Sequence, residues 1–265
     1  MNFTVRDIMR HLNVGAEQRE NTVDLLIAGS PEQQVKGVVT AFMPTHHVIE
    51  ETIRLGANLI ISHESPFYSH HGHTDWLAND PVYQHKRGLI EDAGIAIFRC
   101  HDSIHQSSPD GITEGLVHAL GWLPHVEKRM KEAHVLSFPE EWTLRDMASH
   151  IRNATGIEYL RAVGDPGMVC RRAAILVGFR GNGNLTIPLM QQERLDLIIA
   201  GEGFEWETPE YVRDAVGQGL QKALIMMGHA ESEIPGMRML ADRLKVAFKE
   251  LNVQFVPNEP VYRVF

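Results

Sequence analysis

The chain has 265 residues, 43% of them hydrophobic and 22% charged, which suits a folded core and excludes a disordered chain. A formal net charge of −9 speaks against nucleic acid as the main partner, because binding to a phosphate backbone runs on clustered Lys and Arg. There is no run of 18 apolar residues to span a bilayer, and Cys100 and Cys170 are too few for a disulfide framework.

The opening "MNFTVRDIMRHL" interrupts its apolar pattern with charges and has no small-residue cleavage site, so a cytoplasmic protein is expected. Within it "TVRDIMRHL" reads as a short helix capped by Thr4. "KGVVTAFM" is a strand. "PTHHVIEETIRLGA" is a helix that Thr45 caps, with Val48, Ile49 and Ile53 on one face. Strand "ANLIIS" follows, then helix "PVYQHKRGLIEDAG" with Asp80 at the cap, Pro81 in the first turn and Gly94 past the end. Strand "IAIFRC" and helix "GITEGLVHALGW" complete the set. Short apolar strands separated by amphipathic helices indicate βαβ units.

"WLPHVEKRMKEAH" breaks this rhythm and marks the expected junction between lobes. A second set comprises strand "HVLSF", helix "TLRDMASHIRNATG", strands "EYLRAV" and "RAAILVG", a glycine loop, strand "LDLIIAG", helix "TPEYVRDAVGQGL" and strand "ALIMMG". Helix "PGMRMLADRLKVAF" and strand "VQFVP" close the chain. The expected fold is α/β: two interlinked lobes with mainly parallel or mixed sheets. The first covers residues 1–125 joined by 228–265, and the second covers 126–227.

Four apolar strands end in polar residues. "NLIIS" delivers His63 and Glu64, "IAIFRC" delivers His101, Asp102 and His105, "LDLIIAG" delivers Glu202, and "ALIMMG" delivers His229, Glu231 and Glu233. In open α/β sheets, ligands bind outside the carboxyl ends of the strands. Imidazoles and carboxylates are the usual ligands of Zn, Mn or Fe, and this set exceeds the needs of one tetrahedral ion. Two ions about 3.5–4 Å apart, with one carboxylate bridging, would use them. His229 and Glu233 share a helix face if "HAESE" turns helically, and His101 and His105 repeat that spacing.

The ordered blocks "ENTVDLLIAG", "KGVVTAFMPTHHVIEETIRLGANLIISHESPFY", "IFRCHDSIHQ", "LIIAGE" and "GHAESE" resemble the Nif-three-like family, whose members are often named GTP cyclohydrolase I type 2 homologues. The resemblance implies a toroidal hexamer with two divalent ions per chain, held by His63, Glu64, His105, His229 and Glu233. Glu64 stands where the family has the second histidine of a His-His pair, and His105 where it has an aspartate. The exchanges compensate, leaving three imidazoles and two carboxylates. His101, whose counterpart lies close to the metals, is expected as the catalytic proton donor or as an anchor behind a ligand. The implied activity is hydrolysis of a nucleotide-like or other phosphoester substrate by a metal-bridging water. The alternative is a non-catalytic metal-binding ring acting as carrier, sensor or adaptor.

Smaller signals have plainer readings. "GFRGNGN" (178–184) could cradle an anion on its backbone N–H groups but lacks the Lys-Ser/Thr of a P-loop, so a simple turn is the commoner explanation. "HHGHTD" (70–75) reads as a solvated loop near the entrance, and His46 and His47 as surface residues opening a helix. Cys100 is expected in the core and Trp206 as an exposed or interface aromatic.

Overall fold

A computed structural model describes residues 2–12 and 22–264. The chain begins with α1 (Val5–Leu12), β1 (Leu26–Ala28), β2 (Gly37–Ala41), α2 (His46–Arg54), β3 (Leu59–Ser62), α3 (Pro81–Asp92), β4 (Ala96–Arg99) and α4 (Asp102–Gln106). It continues with α5 (Gly111–Ala119), β5 (Val126–Arg129), β6 (His134–Thr143), α6 (Leu144–Thr155), β7 (Arg161–Val163) and β8 (Val169–Leu176). Then come α7 (Gly183–Gln192), β9 (Leu197–Ala200), α8 (Thr208–Gly217), β10 (Ala223–Met226), α9 (His229–Ala247) and β11 (Asn252–Phe255). Two compact units result, 1–111 with 237–265, and 112–236. None of the described helices is long and apolar enough to cross a membrane.

The first unit is built on a five-stranded sheet in the order β1-β4-β3-β2-β11. Four strands are parallel, and β1 adds antiparallel to β4 at one edge. Its central strands "GVVTA", "LIIS" and "AIFR" are buried at every position, as expected of parallel strands covered on both faces. Val39, Val48, Ile49, Ile60, Ile90 and Ile97 share one apolar cluster. Each such aliphatic contributes about 1.5–3 kcal/mol by leaving water.

The helices start and stop where local chemistry dictates. Thr45 caps α2 by accepting from Val48 N at 3.3 Å, and Asp80 caps α3 by accepting from Tyr83 N at 2.8 Å. Gly94, at φ +61°, takes the chain out of α3 into β4. One expected face shifts: Ile53 is exposed, and Thr52 fills the buried position beside Val48 and Ile49, its hydroxyl donating to the Val48 carbonyl. A 100° step per residue carries position 53 out of the stripe that 48, 49 and 52 define.

The second unit is built on a six-stranded mixed sheet in the order β5-β6-β8-β9-β10-β7. Strands β8, β9 and β10 are parallel, while β6 and β7 flank them antiparallel. Residues within "WLPHVEKRMKEAH" form the edge strand β5, paired antiparallel with β6. A capping box of Thr143 and Asp146 opens α6, and Gly156 at φ +78° ends it.

Lys86 on α3 is an uncommon choice for a position only 4% exposed. Its Nζ donates to the Pro66 carbonyl at 2.5 Å and lies 5.2 Å from the Tyr68 ring, so it pins the turn that follows His63 and Glu64. Burial lowers its pKa to about 8. The folded value lies below the unfolded one, so charging Lys86 costs stability below pH 8, and that cost fades as the pH rises from 8 towards 10.5. Lys86→Met, which removes that cost but also the hydrogen bond to the Pro66 carbonyl, is therefore expected to raise Tm at pH 7 by roughly 2–4 °C. The gain should shrink at pH 9.5 in thermal scans; a gain independent of pH would contradict the assignment.

Candidate metal centre

In the first unit β3 and β4 run parallel with Ser62 opposite Arg99, so the residues that follow both strands leave the sheet at one edge. His63 is fully buried there. Its ring stacks on His101 at 4.5 Å and meets His105 edge-on at 4.9 Å, while His101 and His105 lie 5.1 Å apart. One donor atom from each of these three rings lies within 4.8 Å of the other two, and Glu64, His70 and His101 form a second such group.

The short helix α4 sets this geometry. His101 precedes it and His105 comes one turn later. The N-terminus of α4 is held from a distance: Asp24 accepts from the backbone N–H groups of His101 at 2.6 Å, Asp102 at 2.7 Å and Ser103 at 2.8 Å. These donors have no partners inside the helix, so a carboxylate from a remote segment fixes both histidines. Asp24 was not among the residues singled out in the sequence, although it lies in the "ENTVDLLIAG" block.

Hydrogen bonds assign the tautomers. His105 Nδ1 lies 3.0 Å from Asp110 Oδ2, and His101 Nδ1 lies 3.1 Å from Asp102 Oδ1. An ionised carboxylate only accepts, so both rings carry hydrogen at Nδ1 and offer a lone pair at Nε2. Asp102 is held in turn by Thr22 Oγ1 at 3.0 Å and Val23 N at 3.1 Å. Burial above all, and then the neighbouring His63 and His105, pushes the His101 pKa down to about 2, which keeps the ring neutral.

Arg99, the single cation in "IAIFRC", is a further participant that spacing did not point to. Its side chain is 3% exposed; Nη2 meets Glu64 Oε2 at 2.6 Å and His70 Nδ1 at 2.9 Å, and Nε donates to the His63 carbonyl at 3.1 Å. A guanidinium only donates, so His70 Nδ1 accepts and the neutral ring carries its proton at Nε2. Burial, and then Arg99, lowers the His70 pKa. The first histidine of "HHGHTD" is thereby tied to the cluster, whereas His71 and His73 are exposed, as are His46 and His47.

In the second unit the parallel strands β8, β9 and β10 end at one edge, followed by Gly178, Glu202 and His229. Helix α9 begins at His229 and continues past Pro235, placing His229 and Glu233 one turn apart with Nε2 3.3 Å from Oε2. His229 Nδ1 lies 2.9 Å from Glu202 Oε2, the same carboxylate–imidazole pairing as in the first unit. Ser232 is fully buried and ties the turn together: its Oγ accepts from Gly178 N at 2.9 Å and donates to the His229 carbonyl at 2.8 Å.

The glycine loop has no idle cradle at its glycine amides. Gly178 N donates to Ser232 Oγ, Gly181 N to the Glu202 carbonyl, and Gly183 N to Glu207 Oε2, so the anion it holds is the chain's own carboxylate. Trp206 is 70% exposed and stacks on Phe204 at 4.6 Å. Cys100 and Cys170 are buried, and burial raises both thiol pKa values, that of Cys170 to about 12. The donors suited to a cation are therefore imidazoles, those of His101, His105 and His229 with a carboxylate at Nδ1, together with carboxylates, a set that fits a divalent ion.

A profile of the Duf34/NIF3 (NGG1p interacting factor 3) family matches residues 4–260. The chain belongs to this family. Among Duf34/NIF3 relatives, the GTP cyclohydrolase 1 type 2 homolog of Clostridium acetobutylicum is 25% identical over 236 residues, which covers 86% of this chain and 83% of the relative. The fold is also that of the protein ybgI (TM-score 0.78, 19% identity, 98% and 100% of the two chains). A Bacillus cereus protein related to NIF3 shares it as well (TM-score 0.73, 16% identity, 98% and 97%).

Gly178 lies at φ +59°, and a Cβ there would stand 2.2 Å from Glu233 Oε1. In this Duf34/NIF3 member Gly178→Ala is expected to cost at least about 1–2 kcal/mol from the left-handed backbone alone and to displace Glu233. Urea unfolding reads the first effect and metal content the second. Wild-type values for both would show that Gly178 does not position Glu233.

Proposed function

We propose that this protein is a metal-dependent hydrolase in which His63, Glu64, His105, His229 and Glu233 hold two divalent cations, Zn, Mn or Fe, as one centre. The observation that supports it best is the repeated pairing of a carboxylate with imidazole Nδ1, at His105 with Asp110 and at His229 with Glu202. Such partners orient a ligand ring and raise its basicity. When bound, the cations would supply Lewis acidity for a developing oxyanion and acidify the attacking water.

The chain's own groups do the remaining work. Arg99 fixes the Glu64 carboxylate and sets the His70 tautomer. His70, with its side chain 47% exposed and its proton at Nε2, is placed to donate to an oxygen of an anionic substrate. A nucleotide-like molecule or another phosphoester is the substrate class. The name of the clostridial relative makes a guanine nucleotide the first compound to test. A cytoplasmic homo-hexamer with no membrane partner completes the proposal.

Elemental analysis of untagged protein purified without chelator is expected to find two divalent ions per chain. His63→Ala and Glu233→Ala should lower kcat/KM on the best substrate of a nucleotide and phosphoester panel by more than about 100-fold, with the fold intact by circular dichroism. Fewer than one ion per wild-type chain, or full turnover in both variants, would overturn the reading. Tightly held metal without turnover on any substrate would instead favour a carrier, sensor or adaptor.

A further inference from the structure

His101 lies outside the five-ligand set, yet its surroundings are those of a ligand. Its Nδ1 faces Asp102 at 3.1 Å just as His105 Nδ1 faces Asp110 at 3.0 Å, so both rings direct a lone pair through Nε2. To act as a proton donor from Nε2, the ring would have to carry both protons while stacked at 4.5 Å on His63 and 5.1 Å from His105. Glu64 Oε1 stands 3.6 Å from that nitrogen, and the other Glu64 oxygen is held by Arg99.

We infer that His63, His101 and His105 form a tri-imidazole cation site complete within the first unit, selective for Zn2+, Co2+ or another late divalent ion over Mg2+ and Mn2+. The inference rests on the metal-binding reading above for its cation, but it needs no ligand from the second unit. All three donor atoms already lie within 4.8 Å of one another. A tetrahedral ion with bonds of about 2.0–2.1 Å spaces its ligands ~3.3 Å apart, so closure calls for shifts on the order of 1 Å together with a rotation of the His63 and His101 rings out of their stack, so that their in-plane lone pairs converge. Three of a tetrahedral ion's four positions would then be imidazole, leaving one for water or substrate. Imidazole donors favour late transition ions, whereas Mg2+ and Mn2+ prefer oxygen.

His105 is what makes the set all-imidazole. An aspartate at that position would give a mixed site, with less discrimination against oxygen-seeking ions. His101 thereby changes from the expected proton donor to a ligand, with Asp102 and Asp110 as the groups that orient two of the three rings.

Co2+ titration of the metal-free full chain tests this, read by visible absorption and by bound metal after gel filtration. His229→Ala and Glu233→Ala, which remove ligands proposed above for the second ion, should lower the stoichiometry to one Co2+ per chain, and that remaining ion should still show tetrahedral bands. His101→Ala and His105→Ala should lose those bands and bind that ion more than ~100-fold more weakly. Should His101→Ala fail to fold, Asp102→Asn keeps the ring and is expected to weaken binding about 10-fold. Excess Mg2+ should not displace the Co2+.

Wild-type binding by His101→Ala, or by Asp102→Asn where that variant is needed, would overturn the inference, even if two ions per chain upheld the dinuclear reading. Conversely, a wild type that binds a single Co2+ and loses it in His101→Ala would uphold the tri-imidazole site and count against the second ion.

Discussion

An imidazole offers a lone pair to a cation only when its proton is held at the other nitrogen, and in this protein a carboxylate does that holding. Asp110 stands behind His105, Asp102 behind His101, and Glu202 behind His229. Each contact fixes a tautomer and a ring orientation together. The carboxylates are themselves anchored: Asp102 by Thr22 and Val23, and the helix that carries Asp102 and His105 by Asp24. The donor geometry thus traces back to backbone amides at the start of α4 and to the segment that reaches them.

The sheets supply the places for these groups. In each unit, parallel strands end at a common edge, where the chain is released from the ladder and its side chains can face a shared space. The two edges are furnished differently. The first brings three histidine rings into contact, with a buried guanidinium that donates to Glu64 and to the His63 carbonyl. The second is lined by glycines so that α9 can start close to the sheet: a Cβ at Gly201 would stand 2.4 Å from Ser232 Oγ.

Much of this was legible in the residues. Strands such as "LIIS", "AIFR", "LIIA" and "ALIM" read correctly because a doubly covered parallel strand has to be apolar throughout. The caps Thr45 and Asp80 were legible because capping is local chemistry. Ile53 was misread because its position on the helix, and not its polarity, decides its exposure. The imidazoles and carboxylates that follow the parallel strands were visible as strand-end residues. Their supports were not, because each depends on contact across the chain: Arg99 meets Glu64 from 35 residues away, Asp24 meets Asp102 from 78, and Gly178 meets Ser232 from 54. Periodicity reports what lies within one turn or one pleat, whereas these partners meet only after the sheet has formed.

The Arg99–Glu64 pair couples two positions 35 residues apart. With Arg99 only 3% exposed, a histidine at position 64 would leave the desolvated guanidinium without its carboxylate partner. Replacing Arg99 first would leave Glu64 as an uncompensated anion. Neither single change is easy from the present state, so positions 64 and 99 are expected to tolerate replacement only when both change together.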